Sequence, residues 1–185
     1  RYRADDPHLL GWVSGALTSS FLAAHAAYAP HRLDPTAADA FVAEQSRAAA
    51  LLDPRVDLDT LTDATPLPMV DDGTLPQDVT QLRTRLRAYR PELQVTSQGR
   101  AALRFLLWPS LDPLVRAAYL PMVSGALATV DPDLRRLLGV PVGRVPAAAL
   151  TAHTRALLAL WRAGTGTSPV VRAAGERARR PSEVA

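Results

Sequence analysis

Five Asp-Pro pairs punctuate this chain, and four of them, Asp6-Pro7, Asp34-Pro35, Asp112-Pro113 and Asp131-Pro132, stand immediately before runs with helical spacing of apolar residues. An aspartate at that place accepts a bond from a free first-turn N–H, and proline fits the first helical position with its fixed φ. Alanine and leucine dominate, and aromatic residues make up only 5%, a composition that favours helix over strand. No stretch alternates with period two and no segment repeats. The chain is therefore expected to be all-α, a globular bundle of about seven or eight helices.

The expected helices follow from these starts. The first runs from about Pro7 to Tyr28, where a rotation of about 100° per residue puts Leu10, Val13, Leu17, Phe21, Ala24 and Tyr28 on one face. Asp34 caps a second, from Pro35 to about Leu52. From Asp53 to Pro76 the chain is rich in Asp, Pro and Thr and reads as a long irregular connection, of the kind that is usually functional or mobile. A third helix spans about Gln77 to Tyr89 and stops at Pro91. A fourth begins at Thr96 or Ser97 and ends before Trp108-Pro109. A fifth runs from Pro113 to about Thr129 with a kink at Pro121. A short sixth covers Asp133 to Leu138 and closes on Gly139 in a left-handed cap. The seventh extends from Pro146 to about Arg162. Ser168-Pro169 starts a last short helix that frays into a basic tail.

Length and charge narrow the function. The 185 residues suffice for one domain with a core. Cysteine is absent, which excludes disulfides, thiolate metal sites and cysteine nucleophiles. All 21 basic residues are arginine, which fits GC-rich coding and excludes a Schiff-base or P-loop lysine. The net charge of +3 is mild. Arg83, Arg85, Arg87 and Arg90 read as a solvated helix face, and Arg172, Arg177, Arg179 and Arg180 as a terminus, so no nucleic-acid partner is expected. The most apolar stretch, Leu111 to Val130, is interrupted by Asp112, Arg116 and Pro121, so no transmembrane segment is expected. Tyr2-Arg3-Ala4 is no signal peptide, and the chain reads as soluble, as cytoplasmic or of unknown compartment, and as a piece of something longer.

The run Asp6-Pro7-His8-Leu9-Leu10-Gly11-Trp12-Val13-Ser14 resembles a signature of the MpaB-type oxygenases, whose catalytic domain is shared with the rubber oxygenases (latex-clearing proteins). That signature reads approximately Asp-Pro-x-Leu-Leu-x-Trp-Val-His-Ala-Thr-Leu. This chain keeps Asp6, Pro7, Leu9, Leu10, Trp12, Val13 and Leu17, with Ser14 in place of the histidine and Ala16 in place of the threonine. Pro91-Glu92-Leu93-Gln94-Val95-Thr96, Ala102-Leu103-Arg104-Phe105-Leu106-Leu107-Trp108-Pro109 and Arg136-Leu137-Leu138-Gly139-Val140-Pro141 are similar to later family segments, in family order. The resemblance implies a latex-clearing-protein type of helical fold and a haem-dependent oxygenase acting with dioxygen on a small hydrophobic substrate. It also implies that residues 5–163 are the C-terminal part of a single domain, followed by a C-terminal helix or frayed tail over 164–185. The cofactor implied is haem b, with the proximal histidine expected outside this chain, on the missing N-terminal half of the domain, which is the expected partner. A catalytically degenerate helical binding or scaffold domain that keeps the fold without haem chemistry is the alternative.

Within the chain no axial ligand is identified and no catalytic residue is assigned. His8, in the first helical turn, and His31, after Pro30, are expected to face solvent, and His153 to be satisfied or half-exposed. His25 shares a sector of about 40° with Ser14 and Thr18, a polar strip expected to edge a buried face. Such a strip either permits close helix packing or lines a cavity, and Trp12, Ser14, Thr18, Phe21 and His25 are the candidate lining residues. If the missing half normally covers the first helix, its apolar face should be exposed. No His-x-x-x-His or Glu-x-x-His pair offers a zinc or di-iron site. Gly164-Thr165-Gly166 follows a helix and reads as a stop signal, not a phosphate loop. Asp71-Asp72-Gly73 lacks the further ligands of a calcium loop, and Ser14 and Ser124 lack a nucleophile-elbow context.

Overall fold

The computed structural model describes residues 6–62, 64–140 and 143–165, and among them every regular element is a helix. The order is α1 (Pro7–Tyr28), α2 (Pro35–Ala50), α3 (Pro68–Asp71), α4 (Val79–Tyr89), a 3-10 turn (Arg90–Glu92), α5 (Ser97–Leu107), α6 (Pro113–Thr129), α7 (Pro132–Leu137) and α8 (Arg144–Thr165). The expected helix from Ser168, the basic tail and Asp5 lie outside the described residues.

Each Asp-Pro start forms the cap its chemistry dictates. Asp6, Asp112 and Asp131 accept from the N–H two residues on, and Asp34 from Ala37. α4 receives two carboxylates: its own Asp78 accepts from Gln81 N–H, and Asp39 of α2 accepts from Val79 N–H at 2.9 Å. That second bond ties the start of α4 to the second turn of α2. At the other end, Gly139 takes φ +72°, the left-handed cap expected there.

Two packed units meet along α1. In the first, Ala50, Met69 and Leu75 form a fully buried cluster, bordered by Leu10, Ala49, Leu67 and Val70. This revises the reading of the Asp53–Pro76 connection: it is irregular except for α3, yet it carries Met69 and Leu75 into the core. Buried Ser46 fixes its end by donating to Pro76 O at 2.5 Å. Asp53 holds its beginning: its buried carboxylate accepts from Arg55 Nε and Nη2, the latter at 2.7 Å. Those bonds hold the Asp53 carboxyl below its ordinary value, against burial, which acts to raise it.

In the second unit α6 packs along α8, with the backbones close at Gly125 against Thr154. The Thr154 hydroxyl donates to Pro121 O at 3.3 Å, beside the proline inside α6. Arg135 of α7 is buried and donates to Leu127 O in the last turn of α6, where the helix dipole favours a cation. The C-terminal end of α1 is held by this unit. Tyr28 OH donates to Gly125 O at 2.7 Å, Arg162 donates to Tyr28 O at 3.0 Å, and Arg155 donates to Ala27 O. The arginines satisfy carbonyls that a helix terminus leaves open.

α1 packs through its smallest residues. Gly11, Gly15 and Thr18 are its buried positions. A Cβ on Gly11 would stand 3.0 Å from Tyr89 Oη, and one on Gly15 3.5 Å from Leu86 Cδ2. The apolar line expected to face the core is instead largely outside: Val13, Leu17 and Phe21 are 43%, 52% and 54% exposed. Of the two expectations for this face, buried beside the polar strip or left exposed, the exposed one holds at Leu17 and Phe21, and the physical reason is distance. A glycine stripe lets α4 approach α1 closely, and large side chains on that line would hold it off.

Candidate functional site

The candidate residues of α1 separate once the helix is placed. Ser14, Thr18 and His25 follow one another along one side, and Phe21 and Leu17 lie next to them around the helix; Trp12 falls about 120° or more away. Thr18 is buried, and its hydroxyl donates to Ser14 O at 2.8 Å, a back-bond within the helix. It sits on the packed side of the strip. Ser14 and His25 are half-buried, and neither side chain has a hydrogen-bond partner among the described residues. Trp12 is half-buried on the other flank.

The result is an apolar ledge with a polar border. Val13, Leu17 and Phe21 repeat at four-residue intervals, so they stack along α1 one turn apart. The Ser14 hydroxyl and the His25 imidazole edge that ledge, both with open valences. The ledge is uncharged: no Asp, Glu, Lys or Arg occurs between Pro7 and Tyr28. Such a surface can exclude water from an apolar molecule laid on it and offer one hydroxyl and one imidazole at its rim.

Other features of the sequence take structural places. His8, expected to face solvent, is 54% exposed and hydrogen-bonded to Glu92 at 2.8 Å, with its ring 4.8 Å from that of Tyr89. Tyr89 OH donates to His8 O, and burial pushes its phenol above the ordinary value. This His8–Tyr89–Glu92 cluster latches the start of α1 to the end of α4, and no local sequence signal joins residues so far apart. Asp72 accepts from Thr74 N–H and faces Arg55 at 3.5 Å, closing the turn at Gly73, φ +72°. Arg90 pairs with Asp131 and Asp133, each at 2.8 Å, fastening the 3-10 turn to α7. Arg83, Arg85 and Arg87 are exposed, and Arg85 donates to Gly73 O.

Among the described residues, no group of three or more His, Cys, Asp or Glu side chains converges on a point. Two open surface grooves, one along α4 at Thr80, Thr84 and Arg85 and one between Arg47 and Leu67, include none of the α1 candidates. Among the described residues no helix is long and apolar enough to cross a membrane.

A family model described as the catalytic domain of ER-bound oxygenase mpaB/B' and rubber oxygenase matches residues 1–163. No curated protein and no solved structure matches the chain.

Proposed function

Because the chain belongs to the mpaB/rubber-oxygenase catalytic-domain family, we propose that it forms one wall of a haem-dependent oxygenase site acting with dioxygen on a hydrophobic substrate. The observation that carries this reading is the uncharged ledge of Val13, Leu17 and Phe21, left outside the core by glycine-mediated packing of α1. Haem, when bound, supplies the dioxygen chemistry. The described residues fit an apolar wall of its pocket: His8 is engaged by Glu92, His31 and His153 are exposed, and His25, half-buried at the rim of the ledge, is the one imidazole beside that wall. Ser14 is no ligand for haem iron. In this proposal the proximal imidazole comes from a further, N-terminal segment of the domain, which is the partner of the ledge.

This chain's own residues then have definite tasks. Val13, Leu17 and Phe21 exclude water and hold an apolar body against α1. The Ser14 hydroxyl can donate to an oxygen atom at the rim. His25 sits two turns beyond Thr18 and can accept or donate from the same side.

The second reading, a helical scaffold without haem chemistry, is favoured by Ser14 and Ala16, which replace the His and Thr of the family run. Haem titration of the complete natural gene product separates the two. The enzyme reading expects a Soret band with one haem per chain, weakened in Leu17→Asp and Phe21→Asp while far-UV circular dichroism is unchanged. A gene product that gives no Soret band after haem supplementation would end the haem reading and leave the scaffold.

A further inference from the structure

α5 stands nearly clear of the rest of the protein. Of its 11 residues none is buried, and only Leu103 and Leu107 are half-buried. Those two leucines lie one turn apart and seat the helix. Arg100, Arg104 and Ser97 occupy a separate sector of about 60°, while Ala102, Phe105 and Leu106 fall across the axis from them. The helix is amphipathic, yet its apolar side faces out: Phe105 is 68% and Leu106 56% exposed.

The start of α6 continues the same corner. Tyr119 OH donates to Leu106 O at 2.6 Å, and the Arg116 guanidinium carbon lies 5.5 Å from the centre of the Trp108 ring. Arg116 also donates to Leu111 O. Around these contacts Trp108 is 65% exposed, Leu114 81% and Val115 52%. Exposures of this size mean that the side chains protrude as tips; they do not line a groove into which a partner's anchor would fit. Charge completes the description. Between Thr96 and Thr129 there are three arginines, Arg100, Arg104 and Arg116, and one acid, Asp112, whose carboxylate caps α6.

We propose that this corner of α5 and α6 docks on the surface of an anionic lipid bilayer. A short helix with arginines on one side and Phe, Leu and Trp on the other is the arrangement that lies in a membrane interface. Its aromatic tips enter the headgroup boundary while the guanidinium groups remain with the phosphates. The charge is what separates this surface from the α1 ledge, which has apolar side chains and no cation. The inference does not rest on haem binding, and its test uses the complete natural gene product without added haem.

Cosedimentation with vesicles of phosphatidylcholine, with and without phosphatidylglycerol, tests it. The chain should pellet with the anionic vesicles, much less with neutral ones, and added salt should weaken the binding. Arg100→Glu with Arg104→Glu should lower the partition coefficient by about tenfold or more. Phe105→Ser with Leu106→Ser should do the same, with far-UV circular dichroism unchanged because these side chains are exposed. Tryptophan emission should shift to the blue on anionic vesicles, and this shift should vanish in Trp108→Phe. Leu58→Ser, at an exposed leucine of the Asp53–Pro76 connection, should bind vesicles as the natural chain does. The proposal is overturned if the chain ignores anionic vesicles, or if the α5 variants bind as well as the natural sequence. It is also overturned if the corner instead drives a concentration-dependent dimer that Phe105→Ser with Leu106→Ser dissolves, without any lipid binding.

Discussion

Replacing Gly125 with alanine sets two effects of known sign against each other. In a helix interior the change gains about 1 kcal/mol of propensity. The new methyl, however, would lie 2.6 Å from Thr154 Oγ1 and 2.7 Å from its Cγ2. Ordinary carbon contacts sit at about 3.5–4.0 Å, so the deficit approaches 1 Å on both branches of a β-branched side chain. A staggered step about χ1 puts Hβ in place of one branch but leaves the other against the methyl, and Cβ itself stays at 3.1 Å. Relief therefore requires α6 and α8 to separate, which also loosens the bond from Tyr28 OH to Gly125 O. Overpacking of this kind costs about 1–3 kcal/mol, and the geometry places it at the upper end. The expected net loss is about 1–2 kcal/mol, a fall in Tm of about 2–8 °C for a domain of this size.

A double-mutant cycle isolates the cause. Thr154→Ala removes the two closest contacts and leaves its Cβ at 3.1 Å from the new methyl, a gap that small adjustments can absorb. Gly125→Ala should thus cost about 1–2 kcal/mol less in the Thr154→Ala background than in the natural one. Urea denaturation followed by circular dichroism reads this as a shift in midpoint at constant slope. Additivity within about 0.5 kcal/mol, or a Gly125→Ala variant as stable as the natural protein, would refute the close-packing argument.

Three further outcomes follow from the local chemistry. Asp53→Asn should cost about 1–3 kcal/mol near neutral pH, because it breaks the bonds to Arg55 at a buried carboxylate. Since Arg55 lowers the folded-state pKa, the stability Asp53 contributes is complete above its unfolded value of about 3.9 and is lost as pH falls through the lower folded value. Urea midpoints taken from pH 7 into acid should accordingly fall less steeply in Asp53→Asn than in the natural chain. Asp34→Ala removes the acceptor for Ala37 N–H and should cost about 1 kcal/mol in the same assay. His8→Ala should change stability by less than about 1 kcal/mol, because its bond to Glu92 is more than half exposed on both sides; a larger loss would mean that the latch carries more than its exposure suggests.

The helix starts were legible because capping is local: Asp6, Asp34, Asp112 and Asp131 each reach an N–H two or three residues away. What hydropathy could not reveal was which face of α1 the protein packs. Leu17 and Phe21 carry the apolar signal, but closeness of approach selects Gly11 and Gly15, which a hydropathy scale ranks as indifferent. The Asp53–Pro76 segment failed for a related reason. Its burial rests on Met69, in the short apolar run Leu67–Val70, and on the isolated Leu75, too few positions to show a period. At the candidate site, Ser14, Thr18 and His25 share a sector as their spacing requires, while the difference between a buried Thr18 and a half-buried Ser14 depends on the helices packed around α1. The latch of His8 to Tyr89 and Glu92 likewise joins residues that only the tertiary fold brings together.

The glycine packing of α1 has an evolutionary corollary. Residues that hold the scaffold together and residues that present apolar surface fall on different sides of one helix. Substitution at Val13, Leu17 or Phe21 can therefore alter what this ledge accepts while Gly11, Gly15 and Thr18 keep the architecture intact. Selection for a new ligand and selection for folding act here on separate positions, so this helix can diversify its surface without first acquiring compensating changes in the core.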